Sequence, residues 1–457
     1  MNTKRQKNQM VLAFPKEGRG EAPKISGKGT EMSVAECDTE SPAETEEVME
    51  EVCERENLKK ALKRVRSNKG ASGIDGMAVG ELPEFLKEHW LQIREELLKG
   101  KYKPKPVKRV EIPKPGGGIR KLGIPTVLDR FIQQAILQVL QKQWDPTLSE
   151  HSYGFRPGRS AHQAVAKAQE YLNDGYQYVV DIDLEKFFDK VNHDMLMGRV
   201  AKRITDKRVL RLLRGYLNSG VLENGLISPT DQGTPQGGPL SPLLSNIVLD
   251  DLDRELEKRG LRFVRYADDC NIYVRSERAG KRVMESISCF IERKLKLKVN
   301  WKKSAVGKPQ ERKFLGFSFT YGNRARRRIA PQSIERFKKR VREMTRRNRS
   351  ISLEHRVEGL KRYLIGWRGY FGFCETPTVL QRLDSWIRRR LRAVVWKQWR
   401  KSSTRYHELC RLGIRRVLAG HTAGSAQDVW RVSHSPALNT AMPTAYFRNL
   451  GLPFLAD

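Results

Sequence analysis

Residues 262 to 274 read Arg-Phe-Val-Arg-Tyr-Ala-Asp-Asp-Cys-Asn-Ile-Tyr-Val. Asp268 and Asp269 stand between two runs of strand-favouring residues, Phe263, Val264 and Tyr266 before them and Ile272, Tyr273 and Val274 after. The spacing predicts a hairpin with two carboxylates at its tip. Adjacent ionised carboxylates repel each other, and a divalent cation relieves the repulsion. Hard oxygen ligands suit Mg²⁺, which takes its remaining ligands from water and substrate phosphates. The competing reading is a solvated turn, because Asp is common in turns. A second acid-bearing strand upstream reverses the balance: Val179-Val180-Asp181-Ile182-Asp183-Leu184, followed by Phe187-Phe188-Asp189. Mostly buried strands rarely carry Asp without a partner or a metal. Asp183, Asp268 and Asp269, from adjacent strands, can hold two Mg²⁺ ions about 4 Å apart, the device for in-line nucleotidyl transfer. One ion activates a 3′-hydroxyl and the other stabilises the leaving pyrophosphate. Asp181 competes with Asp183 for this role, since strand alternation puts both on one face.

Tyr266-Ala267-Asp268-Asp269 resembles the active-site box of reverse transcriptases; viral RNA-dependent RNA polymerases usually carry Gly-Asp-Asp there. Asp183, five residues before Phe188, resembles their first catalytic Asp with its aromatic steric gate. The order Asp183, then a Gln-Gly loop, then the Asp-Asp hairpin matches as well. From about Leu58 to near the C-terminus the chain resembles the group II intron-encoded reverse transcriptases and maturases. The resemblance implies an α+β right-hand polymerase, fingers and palm, with an α-helical thumb/maturase domain and a small basic C-terminal segment. It makes Asp183, Asp268 and Asp269 catalytic. With Leu184 they would bind two Mg²⁺ ions, for which Mn²⁺ is a substitute.

The elements that must position these groups follow in order. Ser41-Pro42-Ala43-Glu44 has capping-box spacing and predicts an acidic helix with Val48, Val52, Leu58, Leu62 and Val65 as its stripe. The basic, glycine-rich run Lys63 to Gly76 resembles the N-terminal fingers loop that helps hold a template. A helix is expected over Leu86 to Leu98. Lys101 to Ile124 predicts a β-hairpin with basic arms, turning at Lys114-Pro115-Gly116-Gly117-Gly118. By resemblance, Lys114 and Arg120 are the fingers-tip cations that clamp a triphosphate. Pro125 to Gln143 reads as a mainly buried helix. Ser152-Tyr153-Gly154-Phe155-Arg156-Pro157-Gly158-Arg159 has the aromatic and Arg mixture of stacking and phosphate contact, and resembles the family's Gly-Phe-Arg-Pro box. A structural turn is its competing reading.

Phe188 would collide with a 2′-hydroxyl, which predicts preference for dNTPs. Asn192 is the expected cap of the following helix. Gln236, in Gln232-Gly233-Thr234-Pro235-Gln236-Gly237, resembles the family's Pro-Gln-Gly residue that touches the nascent pair and the dNTP sugar. Ser241-Pro242 starts a helix that Gly260 ends. Leu295 to Asn300 alternates as a strand open to water on one face. Lys303 matches the family's Lys near the triphosphate. Lys313 to Phe319 resembles the primer-grip hairpin, with Leu315 and Gly316 against the primer terminus.

From Arg324 to Lys401 basic residues outnumber acidic ones about four to one in helical patterns. Basic faces with interleaved Trp and Tyr favour an RNA or RNA–DNA duplex. The runs around Arg362, Trp367 and Arg368 and around Leu383 to Arg392 resemble the maturase domain; Arg362, Trp367, Arg368 and Arg156 are expected RNA or primer contacts. The expected organisation is a mobile tail (1–40), fingers and palm (41–320), thumb/maturase domain (325–401) and a basic segment (402–457) resembling the DNA-binding segment of endonuclease-less members.

The chain has 457 residues and a net charge of +34, which calls for a polyanionic partner. No run is long enough to span a bilayer, and Met10 to Phe14 is too short for a signal-peptide core. The six cysteines form no Cys-x-x-Cys pair, so neither a zinc ribbon nor a disulfide framework is indicated. The resemblance therefore implies a bacterial-type member without the HNH endonuclease domain. It would be cytoplasmic, nucleoid- or ribonucleoprotein-associated, and would take its primer from a replication fork or a pre-existing end. Its partners would be group II intron RNA, an RNA template, a DNA primer or target and dNTPs, with no membrane. It would promote splicing and target-primed intron mobility. Two rivals stay open: a non-catalytic RNA-binding splicing factor, and a domesticated repair or defence polymerase.

Overall fold

The computed structural model describes residues 47–113, 117–223, 226–228, 233, 237–322, 324–348 and 351–457. The expected tail (1–40), the capping box at 41–44, Lys114 and Gln236 lie outside the described residues. The acidic stripe folds as two helices, α1 (Val48–Val52) and α2 (Arg55–Asn68). They break at Glu54, whose extended backbone (φ −62°, ψ 139°) cannot continue a helix. Lys63 to Asn68, expected in a loop, belong to α2. After α3 (Leu82–Leu98) come β1 (Val107–Pro113) and β2 (Ile119–Ile124), the expected antiparallel hairpin, with Ile112 opposite Arg120.

The next helix, α4 (Val127–Trp144), is buried on nearly all sides, as its unbroken apolar content requires, and Thr126 caps it by accepting the Asp129 amide proton at 3.1 Å. Ser160 and Gln163 form a reciprocal capping box at the start of α5 (Ala161–Asn173). Strand β3 (Tyr178–Ile182) leads to the short α6 (Phe187–Lys190), then α7 (His193–Ala201), which Asn192 caps as expected, and α8 (Lys207–Asn218). Strands β4 (Val221–Glu223) and β5 (Leu226–Ser228) extend the fingers sheet to the order β2-β1-β4-β5. Helix α9 (Ser241–Lys258) precedes β6 (Arg262–Tyr266), β7 (Asp269–Val274), α10 (Glu277–Lys294) and β8 (Ala305–Gly307).

The palm sheet has the order β6-β7-β3-β8, antiparallel throughout. Strand alternation gives it two apolar faces. Val180, Ile182, Ile272 and Val274 join the main core with α4, α9 and α10, while Val179, Val264 and Tyr273 pack with Ala164, Val165 and Ala168 of α5. The strand expected at Leu295 to Asn300 is not formed. The alternation of burial is there, with Leu295, Leu297 and Val299 buried, but Lys296 has φ +55° and only a single bridge joins Val299 to Leu184. The run pairs only with the residues just past β3, the Glu185 amide donating to the Lys298 carbonyl and the Asn300 amide to that of Asp183, both at 2.8 Å, and β8 supplies the fourth strand instead.

Strands β9 (Phe317–Phe319) and β10 (Arg327–Ile329) form a separate ribbon. Beyond it the thumb is helical: α11 (Pro331–Met344), α12 (Leu353–Phe371) and α13 (Pro377–Gln398). The architecture is therefore the fingers, palm and helical thumb of a right hand. The C-terminal stretch is no separate basic tail. It folds as α14 (Ser402–Arg411), α15 (Arg416–Ala423), α16 (Val429–Val432), α17 (Pro436–Ala441) and α18 (Thr444–Asn449). Leu409, Leu438, Phe447 and Leu455 lie in one core with Leu360, Leu391 and Trp396 of the thumb. Asp384 accepts from the Leu455 amide at 2.9 Å, and Arg392 donates to the Met442 carbonyl at 2.9 Å. The packing is continuous across residue 401, where a boundary was expected.

The thumb is joined to the palm through aromatic rings. Phe317 lies 5.4 Å from Phe371, and His162 of α5 stacks on Phe373 at 4.6 Å while its Nε2 lies 2.7 Å from the Tyr370 carbonyl oxygen. Among the described residues no helix is long and apolar enough to cross a membrane.

Candidate active site

Register alone sets the carboxylates side by side. Ile182 pairs with Cys270, so one further step along the ladder brings Asp183 opposite Asp269, on the face shared by Asp181 and Asn271. Tyr266 pairs with Asp269 across the hairpin, leaving Ala267 and Asp268 as a two-residue turn. Ala267 takes φ +58° to close it. Asp181, Asp183 and Asp269 line one cleft of about 580 Å³ with Lys303, Lys313, Leu315, Gly316, Arg336 and Tyr370.

Asp183 is held from several sides. Its amide donates to Ser304 Oγ at 2.9 Å, and its carboxylate accepts from Asn300 Nδ2 at 2.8 Å and Lys303 Nζ at 3.1 Å. Asp181, on the same face, is paired with Arg312 at 2.8 Å. Among the described residues no side-chain cation pairs with Asp268 or Asp269. Burial, then Asp268, Asp183 and Asp181, push the Asp269 carboxyl up to about 6. Burial, and then Asp183, raise that of Asp268.

Carboxylates kept this close without enough cations have the donor chemistry of a Mg²⁺ site, and Asp183, Asp268 and Asp269 fit it. The Leu184 side chain is buried, so only its backbone carbonyl has the chemistry to join them. No three acidic, His or Cys side chains among the described residues already surround one point; Asp183 is drawn toward Lys303 and Asn300. Because protons compete with the cation for these oxygens, Mg²⁺ affinity measured by calorimetry is expected to fall about tenfold from pH 7 to pH 5. Affinity that ignores pH would place the metal elsewhere. A carboxyl raised in the folded state keeps its proton more tightly than in the unfolded chain. The metal-free protein should therefore lose stability as pH rises from about 4 to about 6.

Of the expected dNTP contacts, Arg120 comes from the fingers hairpin, and Phe188 and Lys303 from the palm. Arg120 is exposed on β2, and its charge is felt at Asp268. Phe188 is half-buried, edge-on to the buried Phe187 at 5.2 Å. Two glycines of the Gln-Gly loop fit where no side chain would. A Cβ on Gly233 would stand 2.7 Å from the Phe188 carbonyl oxygen, and one on Gly237 2.6 Å from that of Gly123. Gly233 thus lies against the backbone of Phe188, and Gly237 against β2.

Leu315 (φ +50°) and Gly316 (φ +85°) form the tight turn between Phe314 and Phe317, and the Tyr370 hydroxyl donates to the Leu315 carbonyl at 2.8 Å. Arg362 and Arg368 are exposed on α12. Two expected RNA contacts are corrected. Arg156 is buried, with Nε on Asp145 at 2.9 Å and its Nη atoms on the carbonyls of Asp145, Ser149 and Ser152. It braces its own loop by tying three of the carbonyls of that loop to one guanidinium. Trp367 lies 4.3 Å from Phe337 and 4.7 Å from Phe371, inside the thumb core; its helix turns this face toward α11.

Sequence reasoning missed Arg265 and Asp253, a wholly buried ion pair behind the hairpin. The available signal was an Asp on the apolar face of α9, between Leu249, Leu252 and Leu256. Nothing local marked Asn300, Ser304, Arg312 or Tyr370.

Residues 112–319 match the family "Reverse transcriptase (RNA-dependent DNA polymerase)", and residues 334–413 match "Group II intron, maturase-specific domain". Protein YkfC of Escherichia coli is 34% identical over 56% of this chain and 77% of its own length. Group II intron-encoded protein LtrA of Lactococcus lactis is 37% identical over 45% of this chain, a match that spans 34% of LtrA.

Proposed function

We propose that this chain, which belongs to the group II intron-encoded reverse transcriptases and maturases, copies RNA into DNA and binds group II intron RNA to promote splicing and intron mobility. The observation that carries the reading is the ladder register that sets Asp183 beside the Asp268-Asp269 turn, at the mouth of a cleft floored by Leu315 and Gly316. A primer end resting on that turn is presented to the carboxylates. Its 3′-hydroxyl gives up its proton to water and the oxygen attacks the α-phosphorus of a dNTP; a new O–P bond forms as the bond to pyrophosphate breaks. Mg²⁺, two ions or Mn²⁺ in their place, would supply Lewis acidity at the attacking and leaving oxygens.

The chain's own residues do the rest. Tyr370 fixes the Leu315 carbonyl and so the height of the primer seat. Arg120 and Lys303 offer cations to the triphosphate, with Lys114 and Gln236 assigned to the same substrate by family likeness; Lys303 must first leave Asp183. Arg362 and Arg368 present positive charge to the RNA backbone.

Phe188 excludes a 2′-hydroxyl. Phe188→Ala is expected to raise NTP use relative to dNTP use roughly 10- to 100-fold, the scale of a 1–3 kcal/mol clash. Competing single-nucleotide incorporation measures it, and an unchanged ratio removes Phe188 from the gate. The function itself is tested by primer extension on an RNA template, beside gel-shift binding of a group II intron RNA against a scrambled RNA. Intron binding without extension would support a splicing factor instead. Extension without preference for the intron would leave a polymerase alone.

A further inference from the structure

The Gly-Phe-Arg-Pro stretch faces the opposite way from its composition. Arg156, the residue suited to phosphate, is turned inward, while Phe155 is 51% exposed. The backbone forces the exchange. Phe155 has φ +59°, a left-handed conformation that aromatic side chains rarely adopt. Strain of this kind persists only where the surroundings impose it.

Here they do, and they belong to the carboxylate hairpin and to α9 behind it. The Tyr153 amide donates to the Arg265 carbonyl at 2.9 Å, and the Arg265 amide donates to that of His151 at 2.9 Å. Asn246 Nδ2 donates to the Gly154 carbonyl at 2.9 Å. Gly154 lies so close that a Cβ there would stand 2.3 Å from the Ala267 nitrogen. The segment is thus laid along β6 up to the Asp268 turn, and the next side chain is projected outward. The Phe155 ring stands 6.3 Å from that of Tyr266, tilted by 43°. Arg159, on the same loop, lies over the Tyr153 ring at 5.5 Å.

An exposed flat ring, rigidly mounted beside a nucleotidyl-transfer centre with a cation nearby, matches the face of a nucleobase. We propose that Phe155 packs, together with Tyr266, against the terminal base pairs of the bound primer–template duplex and so positions the 3′ end over the carboxylates. The inference rests on the polymerase reading above, which does not itself assign Phe155.

The test is equilibrium binding of a fluorescein-labelled RNA template–DNA primer, followed by anisotropy without Mg²⁺ or dNTP. Phe155→Ala is expected to raise Kd about tenfold, the scale of losing one base–aromatic contact, and Phe155→Trp to stay near wild type. The melting temperature should move little, because half of the ring faces solvent. Binding by Phe155→Ala within twofold of wild type would overturn the proposal, as would an equal loss in Phe155→Trp. Wild type that binds the duplex but never extends it would instead defeat the polymerase reading. Wild type that fails to bind the duplex would overturn both.

Discussion

The Asp268→Asn/Asp269→Asn protein is expected to keep its fold and bind primer–template, yet to add nucleotides at least ~10³-fold more slowly. The two amides fill the space of the carboxylates and remove both negative charges facing Asp183. Neither carboxylate makes an ion pair among the described residues, so no structural partner is stranded. The substitution should even help the metal-free fold. Both carboxyls are raised by burial and by their acidic neighbours, so near pH 7 the wild type carries repulsion that the amides lack. With EDTA present, the double variant should melt at or above the wild-type temperature at pH 7. The gap should close toward pH 4, where the wild-type carboxyls take up protons. Single-nucleotide extension together with these melts decides the matter. Extension within tenfold of wild type moves the chemistry off the hairpin. Lost activity with a lowered melting temperature at pH 7 makes the carboxylates structural instead.

The chemistry was more legible in the sequence than the supports that position it. Alternation and turn residues located β6, β7 and β3, because strand period and hairpin geometry are local properties, and the register sets Asp183 opposite Asp269 as the spacing to Phe188 led one to expect. Leu295 to Asn300 shows the limit. Its side chains alternate in burial as a strand's would, yet β8 takes the ladder, since backbone pairing depends on which segment arrives beside β3. The two corrected RNA contacts share one cause. Arg156 and Trp367 are residue types that nucleic-acid sites use, but direction is set by φ at Phe155 and by the face α12 turns to α11. The segment after Ser402 read as basic surface because its apolar residues are spread over five short helices, none periodic enough to announce a core. Arg265 was in view beside Tyr266, but its partner Asp253 lies twelve residues away on another element, and no local pattern pairs them.

That pair carries the second large effect. Arg265 and Asp253 are both fully buried, with Nε on Oδ1 at 2.7 Å. The same guanidinium donates to Asn246 Oδ1 at 3.0 Å, Ser152 Oγ at 2.8 Å and the Ala267 carbonyl at 3.0 Å. It thus ties the turn bearing Asp268 to α9 and to the loop before α5. Asp253→Asn leaves the positive charge buried without its counter-ion, which costs about 3–5 kcal/mol. The palm should melt about 10 °C lower. Replacing both partners with apolar residues, Asp253→Leu with Arg265→Met, removes the stranded charge and should recover most of that stability. It does not restore a donor to the Ala267 carbonyl. If the pair serves only stability, extension returns with the melting temperature. If it positions the turn, the double variant melts near wild type while kcat stays depressed and KM for dNTP stays close to normal. The second outcome is expected, because Ala267 holds a strained φ of +58° and Arg265 is its brace from within the core.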